Sequence, residues 1–211
     1  YICNHSDPQG RYSFDSQPGV GLWNLNALAM AFSPYLSRQQ ITEVLNQYEQ
    51  HLLTEYGHIM RAKCGLKPNN VDNSAIINEW LDMLASEKKD YSVYFRLLCD
   101  FEPKLGVSSL RDSFIDRTRF DRWAQRLAHT LSEQNWPQEQ RSASMKRYNP
   151  KFVLRNYLAQ QVIDKAEQGD FSLFETYLVA LSQPFADNPE LEKFAAPPPD
   201  WGKTLEISCS S

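Results

Sequence analysis

Cys3, Asn4, His5, Ser6, Asp7, Arg11, Tyr12 and Asp15 crowd a thiol, an imidazole, hydroxyls, two carboxylates and a guanidinium into an opening stretch without hydrophobic periodicity. Cys3, His5 and Asp7 alternate, so an extended strand would turn all three to one side, as metal ligands are turned. A ligand set closed within so few residues is unusual, and Pro8 interrupts the run. His5, Ser6 and Asp15 contain the residue types of a hydrolytic triad, but no nucleophile-elbow glycines flank the serine. His51 and His58 stand two helical turns apart with no third ligand in step, which makes them surface histidines. The four cysteines are too few and too scattered for a secreted disulfide framework or a paired zinc site, which points to a reducing compartment.

These groups need elements to hold them. Asp7-Pro8-Gln9-Gly10 reads as a turn, with proline fixing one φ and glycine tolerating a positive one. Pro18 suits the first turn of a helix. Leu22, Trp23, Leu25, Leu28, Ala29 and Phe32 follow at helical spacing, widened by Val20 and Ala27, and so much apolar surface predicts a central, buried helix. Ser37 can cap one long helix through Ile41, Tyr48, Leu52 and Met60 that stops at Gly65.

After a turn-rich break at 67–73, Asp72 or Asn73 caps a helix bearing Ile76, Trp80 and Leu84. Asp90 caps the next, with Tyr91, Tyr94, Phe95 and Leu98 on one face. Phe114, Ile115, Phe120, Trp123 and Leu127 predict one or two more helices, and the aromatic stripe and Cys99 belong to a core. Arg111, Arg117, Arg119, Arg122 and Arg126 form the most basic stretch, with Asp112, Asp116 and Asp121 at pairing distance. Asn149-Pro150 predicts a helix start after a polar stretch from Trp136, Arg155-Asn156 demand buried partners, and Asp170 caps a last helix. The prolines from 184 to 199 stop helix formation, and alternating Leu205 and Ile207 predict an extended tail.

With 42% hydrophobic and 23% charged residues, the 211-residue chain has the composition of a soluble domain with one core and room for a satellite. A net charge of -4 gives no reason to expect nucleic acid or an anionic membrane as partner. No apolar run approaches the roughly 18 residues of a membrane span.

Cys3-Asn4-His5-Ser6-Asp7, Gly10-Arg11-Tyr12 with Phe14, Gln17-Pro18 and Leu22-Trp23-Asn24-Leu25 resemble the selenoprotein O family, whose bacterial members are called YdiU-like. Asn149-Pro150, Val153-Leu154-Arg155-Asn156, Leu158-Ala159-Gln160, Pro198-Pro199-Asp200-Trp201 and the closing Ser208-Cys209-Ser210-Ser211 fit the same family, so the resemblance runs from residue 1 to 211.

The resemblance implies a kinase-like protein that transfers AMP from ATP, with Mg²⁺ or Mn²⁺, to Ser, Thr or Tyr hydroxyls of protein substrates. It implies an all-α segment, the C-terminal portion of a protein-kinase-like fold with a family-specific helical extension. Residues 1–17 would be an activation-segment-like loop with His5, Asp7 and Arg11 facing substrate. Residues 18–65 would be C-lobe helices, 66–195 the extension and 196–211 an extended tail. The family's catalytic, nucleotide-holding and metal-holding positions precede Cys3, so none is expected in this segment, which needs a missing N-terminal kinase-like part and binds no cofactor alone. A bacterial cytoplasm is the implied location, and the missing N-terminus is where any targeting signal would lie.

In the animal members selenocysteine sits where Cys209 stands, so the resemblance also implies a Cys3–Cys209 redox pair. It would close a loop of about 200 residues, for which chain entropy gives roughly 5 kcal/mol at most. Two other readings stand beside this one: a non-catalytic helical interaction module, and a thiol-redox protein, which would lack a Cys-x-x-Cys motif.

Overall fold

The computed structural model describes residues 7–68, 73–102, 109–203 and 205, and every regular element among them is helical, as the all-α expectation requires. They fall into two compact units, 7–56 with Leu205 and 57–203.

In the first unit a 3-10 turn, Phe14–Ser16, leads into α1 (Gln17–Ala31), α2 (Arg38–Leu45) and the start of α3 (Tyr48–Lys63). Pro18 takes its place in the first turn of α1. Ser37 caps α2 in a capping box with Gln40, each side chain bonding the other residue's backbone N–H. The single long helix expected from Ser37 is broken at Asn46-Gln47. There the Gln47 N–H bonds the Val44 carbonyl, tightening the turn to three residues, and Asn is a poor helix-interior residue.

The burial expected of α1 is corrected: none of its residues is buried, and Trp23 is 58% and Met30 69% exposed. The helix is apolar around its whole circumference, so the flanking turn and α2, its packing partners here, cannot cover it. Gly21 has a local role. A Cβ there would lie 2.8 Å from the Tyr48 hydroxyl, which donates to the Pro18 carbonyl at 3.0 Å and ties α3 to α1.

The second unit holds the end of α3, α4 (Ser74–Ser86), α5 (Tyr91–Leu98), α6 (Ser109–Asp112), α7 (Arg117–Glu133), α8 (Gln138–Lys146), α9 (Asn156–Ala166) and α10 (Ser172–Ser182). Its core is the aromatic stripe read from the sequence. Trp80 and Trp123, both fully buried, stack at 4.6 Å between centroids, with Phe95, Phe114 and Phe120 packed around them. The Trp123 indole N–H donates to the Ile76 carbonyl at 2.9 Å, so a large side chain is buried with its polar atom satisfied. Met60, Cys64, Leu66 and Met145 extend this core.

A satellite cluster lies beyond it: Phe152, Tyr157, Leu158, Tyr177, Leu191 and Phe194 are buried between α9, α10 and the 3-10 segment Pro189–Phe194. Pro184 accepts backbone hydrogen bonds from Lys151 and Phe152 at 2.7 and 3.1 Å, so the segment after α10 folds back onto the strand-like entry to α9.

Two predicted boundaries are wrong. The polar stretch after Trp136 forms α8, whose buried Arg141 and Met145 carry the apolar contacts that its composition hides. Asn149-Pro150 does not start a helix. Residues 151–155 stay out of helix, Arg155 precedes α9, and the Asn149 side chain is fully buried. Of the cap predictions, Asp90 caps α5, its carboxylate accepting from the Val93 N–H, whereas the N-cap of α10 is Phe171 and Asp170, one residue earlier, accepts from the Ser172 N–H. At the end of the chain Asp200–Gly202 forms a 3-10 turn. The predicted extension through Ile207 lies outside the described residues.

Candidate functional site

Of the opening-loop residues singled out by type, Asp7, Arg11, Tyr12 and Asp15 are placed; Cys3, His5, Ser6 and, at the far end, Cys209 lie outside the described residues. Asp7 organises the loop. Its carboxylate oxygens accept the backbone N–H groups of Arg11 and Tyr12 at 2.9 and 2.8 Å, and its carbonyl accepts the N–H of Gly10, whose φ is +67°. The predicted turn forms, and only glycine takes that φ without strain.

Arg11 lies over the Trp23 ring at 4.8 Å and close to the Tyr12 ring at 5.7 Å, a cation held on an aromatic face with no carboxylate paired to it among the described residues. Gln17 donates to the Tyr12 carbonyl at 2.7 Å, joining loop to α1. Asp15 is committed locally: the Ser13 hydroxyl donates to it at 2.7 Å and lowers its pKa. The result is a polar loop pinned at both ends, presenting a stacked guanidinium.

Among the described residues no three His, Cys, Asp or Glu side chains gather as a metal's donors would. Four of the five arginines of the basic stretch form ion pairs, two with the acids among them and two with a partner from elsewhere, while Arg122 has no ion pair among the described residues. Arg111 pairs with Asp121 at 2.6 Å and Arg117 lies 3.8 Å from Asp112, while Arg119 and Arg126 both reach Glu79 on α4. Asp116 is instead the N-cap of α7.

A buried polar centre in the second unit had no sequence signal beyond Asn149-Pro150. The Asn149 amide donates to the Lys63 carbonyl at 2.9 Å and to Cys99 Sγ at 3.4 Å. The Lys63 ammonium is largely buried, donates to the Tyr148 carbonyl at 2.9 Å and lies over the Tyr91 and Phe95 rings; burial lowers its pKa.

Cys64, beside it, is fully enclosed, and burial pushes its thiol up to about 12. Burial also raises the Cys99 thiol, although the Asn149 amide acts against it. Both are protonated small hydrophobes, unfit as nucleophiles at neutral pH. Arg155 has the buried partner its setting demands, Asp90, at 2.6 and 3.1 Å. Arg96 bonds the carbonyls of Lys146, Asn149 and Phe185 and pairs with Asp187 at 2.6 Å. Only the folded chain brings these distant groups together, so no local spacing announces them.

The helical fold and the pinned opening loop carry the residues on which the family resemblance rests. The sequence pattern of the family described as protein adenylyltransferase SelO matches residues 1–182, and the chain belongs to that family. Among its relatives, the protein nucleotidyltransferase YdiU of Pseudoalteromonas atlantica is 48% identical over all 211 residues. Those of Yersinia pseudotuberculosis and Pectobacterium carotovorum are 47% and 45% identical over the same span. In each case the whole of this chain matches 44% of the relative, so it spans less than half the length of the relatives it resembles.

Proposed function

We propose that these 211 residues are the C-terminal part of a kinase-like protein adenylyltransferase that joins AMP from ATP to Ser, Thr or Tyr hydroxyls of other proteins. The observation that carries this reading is membership of the SelO family over residues 1–182, with relatives called protein nucleotidyltransferases that match end to end at 45–48% identity. In the reaction a protein hydroxyl attacks the α-phosphorus, the bond to the β-phosphate oxygen breaks and pyrophosphate leaves. Mg²⁺ or Mn²⁺ would neutralise phosphate charge as that happens. The described residues offer no donor set for such an ion. The catalytic, nucleotide-holding and metal-holding residues belong in this reading to an N-terminal kinase-like part outside the chain, and no step is assigned to a metal here.

Within the chain, residues 1–17 are the substrate-facing loop, 18–65 C-lobe helices, 66–195 the extension and 196–211 the tail. Asp7 acts by shaping the loop, since both its carboxylate oxygens hold backbone N–H groups. Arg11, stacked on Trp23, and His5 are the groups offered to a protein substrate. Uncovered α1 supports the same reading, because an all-round apolar helix belongs inside a larger body. The setting is cytoplasmic. No helix among the described residues is long and apolar enough to cross a membrane.

Cys3 and Cys209 act in this proposal as a redox clasp on the loop. Two thiols give two electrons and two protons to a peroxide, forming one S–S bond and two waters, and a dithiol reductant reverses the step. Cys64 and Cys99, buried and protonated, are unsuited to that role.

The reading is tested by incubating this chain and the longer protein separately with α-labelled ATP, Mg²⁺ or Mn²⁺ and a protein mixture. Label transferred by the longer protein alone is expected. Transfer by the 211-residue chain would misplace the active site, and transfer by neither would favour a non-enzymatic interaction module. Equal oxidant sensitivity of the longer protein with and without Cys209→Ser would remove the clasp.

A further inference from the structure

α9 and α10 form a hairpin about Gly169, whose φ of +81° ends α9. Val162 and Ile163 stand four and three residues before Ala166 on α9, and Phe171, the residue that enters α10, is followed at three- and four-residue steps by Phe174 and Leu178. Both rows line one open, apolar groove of about 420 Å³. Its walls are open to solvent: Phe171 is 57% and Leu178 52% exposed, and Leu154 at the rim is 71% exposed. Beside the rows stand exposed Glu167, four residues after Ile163, and Glu175, four after Phe171, for which no cation partner occurs among the described residues; the nearby Lys165 is held by Asp170 at 3.0 Å.

We infer that this groove seats an amphipathic helix with basic flanks that belongs to the part of the longer protein outside these 211 residues. The inference rests on reading the chain as the C-terminal part of such a protein, and adds where that protein's remainder docks. Two converging apolar rows on a helix pair are the receiving half of helix-in-groove recognition, in which the incoming helix supplies anchors at the same steps. The acidic margin selects cationic flanks by charge complementarity. It disfavours a second copy, because symmetric pairing about the groove would set this margin against itself. The relatives have more than half their length beyond the matched region, enough chain to supply the helix.

The test is thiol labelling at Leu178→Cys, with Ser182→Cys as a control at an exposed site outside the groove, read by peptide mass spectrometry so that native cysteines do not interfere. Labelling at 178 in the longer protein is expected to be at least tenfold slower than in the 211-residue chain, with the control equally fast in both. Adding Glu167→Lys and Glu175→Lys to the longer protein is expected to restore labelling at 178 at least threefold.

Equal rates at 178 in the two proteins would overturn the inference. So would protection in the 211-residue chain that grows with its concentration, which would assign the groove to a second copy. No effect of the lysine pair would overturn the basic flanks. AMP transfer measured on the same preparations separates the two ideas: protection without transfer defeats the enzymatic reading alone, and transfer without protection defeats the docking site alone.

Discussion

Arg155 and Asp90 are 65 residues apart in the chain, yet their side chains meet at 2.6 Å with 11% and 18% of their surfaces exposed. The same Asp90 carboxylate caps α5 through the Val93 N–H. One group therefore starts a helix and neutralises a half-buried cation at the entry to another. Burial raises the Asp90 pKa, but the Arg155 and Val93 hydrogen bonds outweigh it and hold the group below its ordinary value. Removing one partner of such a pair strands the other, which costs more than an exposed salt bridge would. Asp90→Ala is expected to lower stability by about 3 kcal/mol in urea unfolding at pH 7.

Acid sensitivity follows from the same pair. Asp90 has a folded pKa below its unfolded value near 3.9. Its contribution is complete above that value and is lost as the pH falls through the folded one. Unfolding free energies from pH 5 to pH 2.5 are expected to fall less steeply in Asp90→Asn than in the parent chain. An unchanged slope would place the acid response elsewhere.

At alkaline pH the sign reverses. The Cys64 thiol is raised from 9.0 to about 12, so its contribution is whole below pH 9 and disappears as the pH climbs toward 12. The eventual loss is on the order of 4 kcal/mol. Lys63, lowered by burial, works oppositely, gaining stability as the pH rises. Cys64→Ala is therefore expected to flatten the decline between pH 8.5 and 10.5 relative to the parent, whatever its own starting stability. A parallel decline would show that the thiol is not its source.

Two glycines share a left-handed backbone but differ in what surrounds them. At Gly65, with φ +69°, a Cβ would stand 2.6 Å from Met145 Sδ and 3.1 Å from Arg141; at Gly169, with φ +81°, it would meet nothing within 4 Å. Gly169→Ala carries only the backbone cost of about 1–2 kcal/mol. Gly65→Ala adds overpacking of about 1–3 kcal/mol. The Tm of the Gly65 variant is expected to be clearly the lower, and equal values would mean that α8 yields.

The Trp80 and Trp123 stack offers a check on the core itself. Trp80→Ala is expected to cost about 3–5 kcal/mol. Trp123→Phe keeps most of the packing but leaves the Ile76 carbonyl without its indole donor, for about 1–3 kcal/mol. Urea midpoints in that order would support this division of roles.

Much of this was legible in the chain. Ser37 and Asp90 announced helix starts, the spacing from Trp80 to Leu127 announced the core, and the demand that Arg155 be satisfied pointed to a partner that periodicity could not name. Sequence spacing went wrong where one residue type serves two purposes. Asn149-Pro150 has the chemistry of a cap, but the Asn149 amide is used across the fold on Lys63 and Cys99. α8 was hidden because its buried face includes an arginine, Arg141, bonded to the Phe101 carbonyl. The apolar periodicity of α1 was read correctly as a helix but wrongly as burial, since periodicity measures what a helix needs covered and not whether a cover is within reach. At the opening loop, the turn at Asp7 and Gly10 was legible from composition, whereas Arg11 on Trp23 required the loop to close on α1.

The family match stops at residue 182, but the cooperative body does not. Pro184 holds the backbone of Lys151 and Phe152, Asp187 neutralises Arg96, and Leu191 and Phe194 are sealed beneath α10. A truncation or protease cut at residue 182 would leave Arg96 only the Lys146 and Asn149 carbonyls, stripped of the Phe185 carbonyl and the Asp187 carboxylate, and expose the underside of Tyr177, whose ring lies 5.0 Å from that of Phe194. A boundary drawn where the family pattern ends would thus pass through a packed unit, and an expression fragment meant to be stable has to run on through Phe194.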